Sequence, residues 1–304
     1  MSETSSSAAR RVAPWGWWRT AVALFKLRVV VLLLVVAVGG AVLAARPWLD
    51  HGRAWSDVVI LLLTGTLSAG GASAINQYLE QDLDARMRRT RTRPLPAGQV
   101  QPPVWALVLG AGMVVVAIGV AAWYRPQLAW AVAAGAFIYI VIYTLTLKRR
   151  TITNIVIGGA AGSAAVISGA AAVGHWNAAE AWALAGLVFL WTPSHFWSLS
   201  LVYRDDYARA GFPMLPVKVA PESAARWVAV HTLGSVVVAV LMAFFPRLGW
   251  PYALLIALPS AYYVHRTARL WRTPSAREAM RLFHTSNIYL AVVTLAAVLT
   301  ALPG

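Results

Sequence analysis

Cysteine is absent from this 304-residue chain, so neither disulfides nor thiolate metal sites contribute to it. Acidic residues are scarce as well: 11 Asp and Glu stand against 26 Lys and Arg, for a formal charge of +15. Only 12% of the residues are charged, where an ordinary soluble domain has about a quarter. In a soluble protein that excess of base would point to nucleic acid, but 59% of this chain is hydrophobic, and the composition is that of a membrane protein. The Ser-rich opening Met1–Ala9 lacks the basic start, apolar run and cleavage site of a signal peptide. Residues 1–20 are expected to be a disordered cytoplasmic tail, with Trp15, Trp17 and Trp18 as interfacial anchors.

What fills the chain is long apolar runs, each near the ~20 residues a hydrocarbon core requires. Nine are read: Val29–Ala45, Asp57–Leu79, Val104–Trp123, Leu128–Leu147, Ile155–Val173, Ala181–Leu201, Trp227–Phe245, Leu248–Val264 and Thr285–Leu302. They predict an all-α integral membrane bundle of nine transmembrane helices, one domain over residues 21–304. With the N-terminus cytoplasmic and the C-terminus external, every Lys and Arg except Arg46, Arg53, Arg125 and Arg247 falls on the cytoplasmic side. The stretch Arg266–Arg281 reads as a basic amphipathic segment on the anionic leaflet.

The few acids are clustered. Asn76, Glu80 and Asp84 recur at i, i+4 and i+8, which on a helix makes one narrow stripe of an amide and two carboxylates, with Asp82 pointing elsewhere. Five arginines at 86, 88, 89, 91 and 93 follow, and the run stops at Pro94-Leu95-Pro96-Ala97-Gly98. A solvated helix end would explain acids alone, but Asn76 lies inside an apolar run and in register with them. A second basic cluster, Lys148-Arg149-Arg150, ends the fourth span, and a second acid pair, Asp205-Asp206, follows the sixth with Arg209 beside it. The acid clusters after spans two and six suggest two related halves of four spans with a ninth appended. His195 sits in the Pro-broken stretch WTPSHFW, where a lone membrane histidine is first of all a hydrogen-bonded structural residue.

Two acid clusters and three basic clusters at one membrane face make sense around a shared ligand. Mg²⁺ takes one or two carboxylates and completes its shell with water and phosphate. A diphosphate bridged by Mg²⁺ to Asn76, Glu80, Asp84, Asp205 and Asp206, with Lys and Arg on its other oxygens, uses every cluster. Neutralised in this way, a diphosphate leaves easily, and the carbocation of an allylic substrate would rest against aromatic faces such as Tyr143, Tyr203, Trp191, Phe196 and Trp197.

The stretch NQYLEQDLDARMRRTRTRPLPAG resembles the first signature of the UbiA superfamily of intramembrane prenyltransferases, and YTLTLKRRTITNIVIGG, WTPSHFW and YRDDYARAGFPMLPV are similar to its heme-modifying branch. That resemblance implies a nine-helix bundle with a lateral lipid-facing cavity in a bacterial inner membrane and an active site near the cytoplasmic face. It implies farnesyl diphosphate and heme b as substrates, Mg²⁺ as cofactor and heme O as product, with a UbiA-type enzyme acting on a quinone precursor or chlorophyllide as the alternative. By the same likeness Asn76, Glu80 and Asp84 occupy the first metal–diphosphate motif and Asp205 and Asp206 the second. Arg93, Lys148 and Arg209 are expected on the diphosphate, Tyr143 and Tyr203 on the substrate, and His195 at the heme iron or a propionate. Glu80 stands where the superfamily most often has Asp, and Tyr203 where other members have another Asp. A heme A synthase or the terminal-oxidase assembly is the partner class implied; a transporter, which would need charges at mid-membrane, is not.

Overall fold

A computed structural model describes residues 14–45 and 54–302. The expected tail Met1–Ala9, Arg46, Arg53 and the side chain of Trp15 lie outside the described residues. Residues 14–20, expected in the tail, belong instead to a helix, α1 (Pro14–Leu24), opened by a proline at its first position. Trp17 and Trp18 are exposed on it, as interfacial anchors require.

Long rods follow: α2 (Leu27–Ala44), α3 (Ala54–Ala85), α4 (Val104–Tyr124) and α5 (Pro126–Phe137), which runs on without a break as a π-helix over Ile138–Leu147. Next come α6 (Asn154–Gly158) and α7 (Ala160–Ala172), one rod interrupted at Gly159, then α8 (Ala179–Val202). Two short helices, α9 (Arg204–Arg209) and α10 (Leu215–Lys218), lead to α11 (Pro221–Met242), α12 (Gly249–Arg272) and α13 (Ala276–Ala301). Seven of these rods are long and apolar enough to cross a membrane, which makes this a multi-pass membrane protein. The other two expected spans correspond to α8 and α12, which are 24 residues each but diluted by Glu180, Pro193 and His195 in one and three arginines in the other.

In one group α3 packs on α4, α4 on α5, α5 on α7 and α7 on α2; in the other α8, α11, α12 and α13 pack in a closed square, with α2 touching both groups. The ninth helix is therefore no appendage, because α13 completes the square and also packs on α2. Close approach in a bilayer depends on small residues. A Cβ on Gly169 of α7 would collide with the backbone carbonyl of Ala37 in α2, and one on Gly71 of α3 with the carbonyl of Gly110 in α4. At the end remote from the acid clusters, Arg247 donates to the carbonyls of Leu43, Ala45 and Ala301, satisfying C-terminal groups that no helix bond can reach.

The Arg266–Arg281 stretch is not one surface segment. It is the end of α12, a turn, and the start of α13, where Ser275 caps the helix by accepting from the Glu278 amide. Glu278 is buried and pairs with Arg266 at 2.7 Å and Arg281 at 2.9 Å, which fixes the corner.

Gly169→Leu is expected to force α2 and α7 apart and cost about 3 kcal/mol or more, seen as loss of monodisperse protein in detergent. Gly112→Ala, where an added Cβ meets nothing within 4 Å, is expected to leave the melting temperature unchanged or raise it.

Candidate active site

Helix α3 has 32 residues and so runs about 48 Å, well beyond the ~30 Å of a hydrocarbon core. Its surplus turns carry the acid stripe. Asn76, Glu80 and Asp84 are each at most 2% exposed, while Asp82 faces solvent. Carboxylates at a helix C-terminus add to the negative end of its dipole, so burying them there requires cations.

The cations come from three separate segments. Lys148, just past the π-helix, donates to Glu80 Oε2 at 2.6 Å, and Arg93, from the loop after α3, donates to Asp84 Oδ2 at 2.6 Å. Lys26, between α1 and α2, donates to Asn76 Oδ1 at 2.8 Å and to the Tyr139 hydroxyl at 3.1 Å. Burial, with the Arg93 charge adding to it, lowers the Lys26 ammonium to about 7 against the opposing pull of Glu80 and Asp84.

The π-helix explains why one segment supplies so much. Its i→i+5 backbone ladder, which ends with the Lys148 amide on the Tyr143 carbonyl, lengthens each turn, and the Thr144 hydroxyl donates beside it to the Tyr139 carbonyl. Thr144 and Lys148 consequently reach the α3 stripe, Thr144 by accepting from the Asn76 amide at 3.2 Å, while Tyr139 reaches Lys26. The Lys148 ammonium lies 5.4 Å from the Tyr143 ring centre and 4.9 Å from that of Phe212.

The second acid pair is split by its own short helix. Asp206 is buried, accepts from the Arg89 backbone amide at 3.1 Å and pairs with Arg209, whereas Asp205 faces solvent. Arg89 also donates to the Tyr207 hydroxyl at 3.3 Å and lies 5.6 Å from the Tyr203 ring centre. Both acid patches thus bond to the loop that follows α3.

Other expected residues do different work. Trp191 donates to the Ser286 carbonyl at 2.8 Å, and His195 is bonded through Nδ1 to the Ser286 hydroxyl and stacked between Trp191 and Phe283. Trp197 packs edge-on against His231, and Phe196 against Tyr207. These rings bind α8 to its neighbours, and no contact joins Trp191, His195 or Trp197 to the acid stripe among the described residues. Sequence reading passed over Lys26, Arg89, Tyr139, Thr144 and Phe212. Lys26 and Arg89 were hidden among topogenic charges, and the others among apolar neighbours.

The donor set suits a hard cation. Every candidate ligand is an oxygen, and Glu80 Oε1 is buried without a hydrogen-bond partner. Among the described residues no three His, Cys, Asp or Glu converge into a closed cage. Mg²⁺ needs none, since it draws much of its shell from phosphate and water. Basic groups on three sides of a carboxylate stripe can grip a polyanion that brings such a cation with it.

Residues 32–293 match the UbiA prenyltransferase family. The chain is 41% identical over 290 residues to protoheme IX farnesyltransferase 1 of Saccharopolyspora erythraea, covering 93% of this chain and 89% of that protein. It is 38% identical over 308 residues to protoheme IX farnesyltransferase of Gloeobacter violaceus, with 97% of each covered. A solved structure of a UbiA homolog from Archaeoglobus fulgidus bound to DMAPP and Mg²⁺ superposes with a TM-score of 0.62 at 13% identity, over 92% of this chain and 99% of that one. At that identity the likeness is one of fold.

Arg89→Ala is expected to loosen the contact between the loop after α3 and α9. Hydrogen exchange should quicken at residues 86–93 and 204–209, while Arg88→Ala, which alters an exposed side chain, leaves it unchanged.

Proposed function

Because this chain belongs to the UbiA prenyltransferase family, we propose that it transfers the farnesyl group of farnesyl diphosphate to a vinyl group of heme b, giving heme O and diphosphate. The observation that carries this reading is that two acid patches and their cations are tied to one loop at one end of an otherwise apolar bundle. Its likeness over nearly the whole chain to two protoheme IX farnesyltransferases favours heme as acceptor over a quinone precursor or chlorophyllide.

The oxygens of Asn76, Glu80, Asp84 and Asp206 would hold Mg²⁺, with Asp205 reaching it from the solvent side. When bound, Mg²⁺ neutralises the diphosphate and makes it a better leaving group. Lys148, Arg93 and Arg209 turn from their carboxylates to the diphosphate oxygens and take up charge as the bond between farnesyl C1 and oxygen breaks. The faces of Tyr143 and Tyr203 stabilise the allylic cation. Its C1 bonds to the vinyl terminus, water adds at the neighbouring carbon, and a proton is lost, which leaves a hydroxyethylfarnesyl arm. His195, held by Ser286 and its two stacked rings, is the proposed contact to the heme. The distribution of basic residues supports a cytoplasmic position, at the inner membrane, for this end of the single domain. A heme A synthase or terminal-oxidase assembly would consume the product.

Membranes carrying the protein, given heme b and farnesyl diphosphate, are expected to form heme O detectable by mass spectrometry. Prenylation of a hydroxybenzoate with no heme O would overturn the acceptor. Asp84→Ala and Asp206→Ala should each lower turnover roughly a hundredfold or more, the scale of losing one preorganised charge partner, without loss of protein from the membrane. Asp205→Ala should cost less, because its carboxylate faces out.

A further inference from the structure

We propose that Lys26 is a binding residue for the substrate diphosphate and that Gln77 is the positioning residue that delivers it. The inference rests on the reading of the chain as an enzyme of prenyl diphosphates.

Three cations of the site are each paired with a carboxylate: Lys148 with Glu80, Arg93 with Asp84 and Arg209 with Asp206. Lys26 is different. Its direct partners are the Asn76 amide oxygen and the Tyr139 hydroxyl, both uncharged. An ammonium has three hydrogens, so one remains for a further oxygen. A part-buried cation held only by neutral groups is still in want of an anion, which a diphosphate oxygen supplies.

The backbone is shaped to present it. Lys26 is the one non-glycine residue with positive φ among the described residues, at φ 48° and ψ 45°. A lysine occupies the left-handed region only where its surroundings impose it. Gln77, next to Asn76 on α3, is fully buried, and its amide donates to the carbonyls of Ala23 at 3.0 Å and Leu24 at 2.6 Å. Those are the last carbonyls of α1, which no helix bond satisfies. Neighbouring side chains of α3 therefore grip the two sides of one corner. Gln77 holds the end of α1, and Asn76 holds the ammonium just beyond it.

The test is binding of the unreactive analogue farnesyl thiodiphosphate to the full-length protein in nanodiscs with Mg²⁺, beside KM values for farnesyl diphosphate and heme b. Lys26→Met is expected to weaken the analogue about tenfold or more, the worth of one charge-assisted hydrogen bond, and to leave KM for heme unchanged. Lys26→Arg should recover most of the loss. Gln77→Met, which keeps the length and removes the donor, should weaken the analogue several-fold alone and add nothing in a Lys26→Met background. Analogue binding equal to wild type in both Lys26→Met and Lys26→Gln would overturn the role of Lys26. A full additive effect of Gln77→Met in the double variant would overturn its role as positioning residue. The binding arm contains no heme, so an error in the acceptor leaves this inference standing, whereas a wild-type protein that binds no prenyl diphosphate sinks both.

Discussion

Negative charge buried at the C-terminal end of a helix is the constraint from which the site follows. The carbonyl end of α3 already carries partial negative charge, and two carboxylates and an amide oxygen are packed into its last turns. Their side chains are at most 2% exposed, so water does little to solvate them. Cations must come from elsewhere, and they come from the corner before α2, the loop after α3 and the end of the π-helix. Segments more than 100 positions apart in sequence are thereby drawn to one place, as Lys26 and Tyr139 show. The charged end and the apolar bundle are parts of one design, because the bundle supplies the low polarity that makes each ion pair strong.

Arg89 extends that logic to the second acid patch. It uses its backbone amide for Asp206 and its guanidinium for Tyr207 and Tyr203, so the loop after α3 is anchored to α9 by two different kinds of group. One residue thus links helices that belong to opposite halves of the bundle. The packing of α2 against both groups of helices provides the same link within the membrane.

Hydropathy and the four-residue spacing make the spans and the α3 stripe legible in the sequence, since both depend on local periodicity. The parts that were not legible depend on backbone events without a residue signature. Nothing in Ile138–Leu147 marks the change from α to π, yet that change turns Lys148 toward Glu80. Lys26 and Arg89 were visible only as basic residues of a cytoplasmic segment, because a left-handed corner and a loop amide leave no trace in composition. Asp205 and Asp206 could not be told apart as neighbours; where α9 begins decides which of them faces inward. The corner between α12 and α13 does carry a sequence signal, since Ser275 followed three residues later by Glu278 is a helix-start signature.

At the far end of the bundle, the clasp of Arg247 on the carbonyls of Leu43, Ala45 and Ala301 ties the C-termini of α2 and α13 together. One guanidinium thus fixes the separation of two rod ends that neither rod caps for itself, and its removal would leave three part-buried carbonyls without a donor.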